Sequence, residues 1–140
     1  MEYIDYVRNG DIIIAIIIRS EFFQQGIHFF TPHEFSQQLA YMNRDKGYVI
    51  PPHVHNPVHR DVFMTLEALY IKSGTTKVDF YTPEKAFLES RVLVGGDFIL
   101  LASGGHGFTM IEPTEIIEIK QGPYAGDQDK TRFDPHVKPE

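Results

Sequence analysis

The run "IIIAIII" at residues 12–18 narrows the fold more than any other stretch of the chain. Six isoleucines and one alanine leave it without a polar face. β-Branched side chains are stiff at χ1 and pack well on a pleated surface, so the run reads as a strand. Asn9-Gly10-Asp11 before it and Arg19-Ser20 after it mark its ends. A strand that is apolar on both faces must be covered on both, by its own chain or by a partner chain. The run is too short to cross a bilayer, for which a helix needs about 20 residues. The residues ahead of it, "MEYIDYVRNGD", carry more acid than base, the wrong sign for a signal peptide. The expectation is a soluble, cytoplasmic protein.

Elsewhere the pattern repeats the strand signature. Phe, Tyr, Ile, Val and Thr recur in short runs, and glycine or proline breaks them at intervals of roughly eight to twelve residues. Further strands are expected at 26–32, 38–44, 48–55, 65–73, 76–82, 91–94, 97–102, 108–112 and 115–120. Ser73-Gly74-Thr75 and Gly95-Gly96-Asp97 read as hairpin turns. "TPHEF" at 31–35 carries a capping-box pattern for a single helical turn, with Thr31 as N-cap and Glu34 three residues on. Residues 82–90 read as a short helical turn or a long loop. The tail from Gly122 to Glu140 is polar and rich in Pro and Asp, and is expected to wrap the surface or fray. With 140 residues the chain suits a single all-β domain, a sandwich, jelly roll or barrel.

Charge and cysteine content exclude several functions. A formal net charge of −6 argues against nucleic acid and against an anionic membrane surface, since both need a cationic footprint. With no cysteine there is no disulfide framework, no zinc–thiolate site and no thiol nucleophile.

Chemistry concentrates in "GYVIPPHVHNPVHR", residues 47–60. In a strand, positions i and i+2 share a face, so His53 and His55 project together. Two imidazoles so placed can bind one metal ion at about 2.0–2.1 Å each. Pro51 and Pro52 ahead of them suit an edge strand rather than a central one. Glu67 begins the apolar stretch "EALYIKSG", where a carboxylate is costly to bury unless something pairs with it. His106 follows a glycine-rich turn, in "GGDFILLASGGHGF".

These residues resemble the two motifs of the cupin superfamily. Gly47 stands five residues before His53-Val54-His55, and Glu67 stands six before Gly74. Gly96 opens the second motif, in which Ala102 replaces the usual proline and His106 follows Ser103-Gly104 after one residue. The largest departure is the eleven residues between His55 and Glu67, where the family has three or four. His59 lies in that insert, 56–66, and is the alternative to Glu67 as fourth ligand. The resemblance spans about 47–112, with a motif-bearing core of about 47–120. It implies a small jelly-roll or double-stranded β-helix barrel, preceded by N-terminal strands. It also implies a divalent ion (Fe, Mn, Zn, Ni or Co) held by His53, His55, Glu67 and His106.

Such barrels serve enzymes and binding proteins alike. One expectation is a metal-dependent isomerase or dioxygenase acting on a small polar metabolite such as a sugar or keto acid. The alternative is a non-catalytic module holding a small molecule, or an orphan metal-binding barrel. His59, Arg60 and Tyr41 are weak catalytic candidates, and Tyr70 is another possible phenol. His28 reads as structural, and His33 and His136 as solvated. Phe108 and Met110 share a face with His106 and read as core, whereas Glu118 and Lys120 read as a solvated face. The isoleucine strand, placed outside the motif-bearing core, suggests a homodimer that covers its second face.

Overall fold

In a computed structural model of the protein, residues 1–136 are described, so the last four residues of the expected tail lie outside the described part. Ten strands form, all paired antiparallel: β1 (Ile4–Asn9), β2 (Ile12–Ile18), β3 (Gly26–Phe29), β4 (Ala40–Asn43), β5 (Glu67–Ser73), β6 (Thr75–Tyr81), β7 (Phe87–Val94), β8 (Phe98–Leu101), β9 (Gly105–Met110) and β10 (Glu115–Lys120). Among the described residues one 3₁₀ turn, Gly126–Asp129, follows them. Among the described residues no helix is long and apolar enough to cross a membrane.

The chain divides into two compact units, Met1–Phe22 with the residues from Thr65 onward, and Phe23–Met64. The first holds a five-stranded sheet in the order β1-β2-β8-β5-β10 and a three-stranded sheet in the order β7-β6-β9. They share one core, to which Ile14, Ile17, Leu69, Ile71, Ile99 and Leu101 come from the larger sheet and Val78, Phe80 and Leu93 from the smaller. The result is a two-sheet sandwich, and no closed barrel forms among the described residues. The second unit holds the β3–β4 ribbon and an irregular stretch from residue 44 onward.

β2 is an interior strand, paired with β1 on one side and β8 on the other. Ile14, Ala15, Ile16 and Ile17 are all buried, so both faces of the run's middle are covered without a partner chain, and only Ile12 at its start is largely exposed. The exposed second face that suggested a dimer is therefore absent. Each buried isoleucine contributes about 1.5–3 kcal/mol.

Both expected hairpin turns are instead corners between sheets. Ser73-Gly74-Thr75 carries the chain from β5 in the larger sheet to β6 in the smaller, and Gly95-Gly96-Asp97 carries it back from β7 to β8. Gly74 has φ 93°, and a Cβ there would meet the Pro113 carbonyl oxygen at 2.4 Å, so the corner requires glycine. Asp97 ties the other corner together. Its carboxylate accepts from the backbone N–H of Ser20 and Val94, both at 2.9 Å, and from Arg19 at 3.1 Å.

Three local expectations change. Residues 48–55 form no strand, because Pro51 and Pro52 lack backbone donors and nothing in the described chain pairs with them. At 31–35 there is a turn and no helix: the Thr31 hydroxyl donates to Gln38 instead of capping. Residues 82–86 form the tight β6–β7 loop, after which β7 starts four residues earlier than expected.

Candidate functional site

Register decides which side chains meet. β5 pairs with β10 so that Glu67 lies opposite Lys120 and Leu69 opposite Glu118. Alternation then turns Glu67, Glu118 and Lys120 to the same face as the buried Leu69 and Ile71. On the smaller sheet His106 pairs with Phe80 and Phe108 with Val78. His106 and Phe108 thus face the core side as well, with their rings edge-to-face at 5.9 Å.

Across the sandwich, His106 Nε2 stands 3.6 Å from Glu67 Oε2. The two side chains are 29% and 15% exposed, largely desolvated yet reachable from one end. That end gathers the starts of β5 and β9 and the last residues of β6, β8 and β10. Hydrogen bonding from His106 holds the Glu67 carboxyl below the ordinary carboxylate value, against the opposing effect of burial. The charge on His106, a hydrogen bond with Glu118 and the charge on Lys120 act in the same direction. Glu67 is therefore kept as the anion, the form that a cation needs.

The tail frames this end. Thr65, two residues before Glu67, donates its hydroxyl to Asp129. Phe133 stacks edge-to-face on Tyr81 at 5.0 Å. Gly105 lies directly beneath that seat, where a Cβ would press on the Phe133 ring at 3.3 Å.

His53 and His55 belong to the second unit. Their rings are T-shaped at 5.2 Å. A carbonyl can only accept, so in the contact between His53 Nδ1 and the Pro51 oxygen, at 2.9 Å, the imidazole is the donor. His59 pairs with Asp61 at 3.0 Å, on the surface. Arg60 is exposed. Tyr41 lies on β4 opposite His28, whose Nε2 is 3.1 Å from the Gln25 carbonyl oxygen.

Of the four expected ligands, then, Glu67 and His106 are in contact. Two donors on one ion at about 2.0–2.2 Å stand about 2.8–3.6 Å apart, from right-angled to tetrahedral geometry, so this pair, at 3.6 Å, lies at the wide end of what half a ligand set spans. Among the described residues no group of three or more His, Cys, Asp or Glu is arranged to hold a metal. Sequence reasoning missed Glu118 and Lys120. Alternation in "EIIEIK" separates them from the isoleucines, but only the β5–β10 pairing brings them beside Glu67. Phe108 packs on the core as expected, whereas Met110 is exposed near the end of β9.

The fold and the pair define an antiparallel β-sandwich with a desolvated carboxylate–imidazole couple at one end. Compared with known proteins, the chain matches no family model, no curated protein and no solved structure.

Proposed function

We propose that the protein binds a divalent metal ion as a cupin-type jelly roll, with His53, His55, Glu67 and His106 as ligands. The observation that carries this reading is the Glu67–His106 pair at 3.6 Å. The two residues are far apart in sequence, lie on different sheets and have complementary donor chemistry. Glu67 is held ionised, and the His53 Nδ1 is engaged by the Pro51 carbonyl, the kind of contact by which a ligating histidine is oriented through its other nitrogen. A bound ion with open positions supplies Lewis acidity toward a carbonyl or hydroxyl of a small polar metabolite. This chain's own residues desolvate that end of the sandwich and set Lys120 and Glu118 beside the ligand carboxylate, where they can orient a polar group.

Lys120 and Glu118 also favour a second reading, in which the cluster is an ion-pair network and the sandwich a non-catalytic binding module. Elemental analysis of anaerobically purified protein separates the two. The metal reading expects a stoichiometric transition metal, falling about tenfold or more in His106→Ala and Glu67→Gln with the strand circular dichroism kept. Equal metal content in wild type and variants, or none in any of them, would leave the ion-pair network.

A further inference from the structure

Beyond Gln121, whose backbone N–H donates to the Leu66 carbonyl at 3.0 Å, no backbone hydrogen bond ties the described tail to either sheet. One side-chain hydrogen bond and one ring contact hold it instead, Thr65 with Asp129 and Tyr81 with Phe133. Asp129 and Phe133 are half-buried, while every other described residue from 127 onward is exposed. The two anchors stand on different sheets. Thr65 precedes β5 of the larger sheet, two residues outside Glu67. Tyr81 ends β6 of the smaller sheet, opposite Gly105, which is one residue outside His106. The line between the anchors therefore runs just to the solvent side of the Glu67–His106 pair. Sheets of a sandwich pack about 10 Å apart. The four steps from Asp129 to Phe133 reach about 13–14 Å when extended, enough to cross that gap with little to spare. Lys130, the first residue of the crossing, is extended, with φ −146° and ψ 155°. Gly105 alternates with the inward-facing His106, so Phe133, seated on Gly105 and Tyr81, hooks over the rim onto the outer face of the smaller sheet.

We infer that residues 126–136 form a strap latched across the mouth of the site, and that its unlatching admits a small-molecule ligand to Glu67 and His106. The strap narrows the mouth without sealing it, since His106 keeps 29% of its side-chain surface exposed and Glu67 15%. Such a gap suits water or an ion, whereas a molecule of metabolite size needs the strap lifted. Lifting it breaks no strand ladder and leaves the core intact, the mark of a segment that opens well below the global unfolding free energy. Closing it again over a bound molecule shuts water away from the pair. The strap does not rest on the proposed metal reading; only the kind of ligand it admits does.

Histidine modification reads the latch with no metal present. Protein stripped by a chelator is treated briefly with diethyl pyrocarbonate, and carbethoxylation of His106 is followed by peptide mass spectrometry. His59, 87% exposed, is the internal reference for reagent strength. Asp129→Ala and Phe133→Ala cut the two anchors separately, and neither residue lies in a strand. Reagent that enters through the open form reacts in proportion to the open population. Each variant is therefore expected to modify His106 about two- to tenfold faster than wild type, with the His59 rate and the unfolding midpoint of the sandwich unchanged. An unchanged His106 rate in either variant would overturn the two-point latch. A faster rate accompanied by a lowered midpoint would trace the reactivity to general loosening and overturn it as well. Metal content, measured on the same preparation before chelation, tests the metal reading by itself, so that either can fail while the other stands.

Discussion

Asp97 is 1% exposed and holds three donors from two segments of the chain, Arg19 and Ser20 after β2 and Val94 at the end of β7. Removing the carboxylate leaves two backbone N–H groups and the Arg19 guanidinium without their acceptor. Arg19 is partly solvated and has Asp5 as a second partner at 2.7 Å, which softens the loss. Asp97→Ala is therefore expected to lower unfolding free energy by about 2–4 kcal/mol in urea titration, and Asp97→Asn by less. Tyr81 gives a pH signature. Burial, aided by the nearby Asp79 carboxylate, raises its phenol above 10.0. A folded-state value above the unfolded one means that the contribution is complete below the unfolded value. It is lost as pH rises through the folded value. Between these limits wild type is expected to lose stability with rising pH more steeply than Tyr81→Phe, as read by melting temperature across alkaline buffers. At this scale Glu67 and His106 could be singled out from local patterns, the Glu67–Gly74 spacing and the glycine-rich turn before His106, and these two are in contact, whereas "HVH" gives no sign that His53 and His55 belong to a separate unit. Glu118 and Lys120 could not be singled out, because their position depends on a strand pairing that spans more than forty residues of chain.

Strands were the most legible elements. Ile12–Ile18 and Glu115–Lys120 form with the bounds that their composition suggests, and most others agree within a few residues. Period two marks a strand wherever one face is buried, but it does not say which sheet the strand joins. The two glycine corners were therefore read as hairpins. Their sequence is compatible with either, and the inter-sheet core decides. Residues 48–55 carry strand-like alternation with nothing to pair with in the described chain, and alternation alone does not supply a partner. Two predictions belong here. Ile17→Ala, in the interior of β2, is expected to cost about 2–5 kcal/mol in denaturant unfolding, since fixed neighbours on both sides cannot close the cavity. Phe133→Ala removes the tail's aromatic contact, worth about 0.5–1.5 kcal/mol. It is expected to speed proteolysis within the tail while leaving the sandwich's unfolding midpoint almost unchanged. Equal cleavage rates would show that the tail is held by other contacts.

For the molecule as a whole, an acidic all-β chain was evident from composition and periodicity, and the sandwich bears this out. The division into two units was not evident, because no linker composition marks Phe23 or Met64. The case for a partner chain also weakens. It no longer rests on the isoleucine strand, whose middle, Ile14–Ile17, the chain buries itself. The central claim is that Glu67 and His106 are two ligands of one metal ion. Its most direct test is a crystal structure of cobalt-loaded protein with diffraction measured on both sides of the cobalt absorption edge. The account predicts an anomalous peak within about 2.0–2.2 Å of both Glu67 Oε2 and His106 Nε2, with two further imidazoles on the same ion. Ordered cobalt elsewhere with none between these two side chains, or a direct Glu67–His106 ion pair persisting at saturating cobalt, would contradict it.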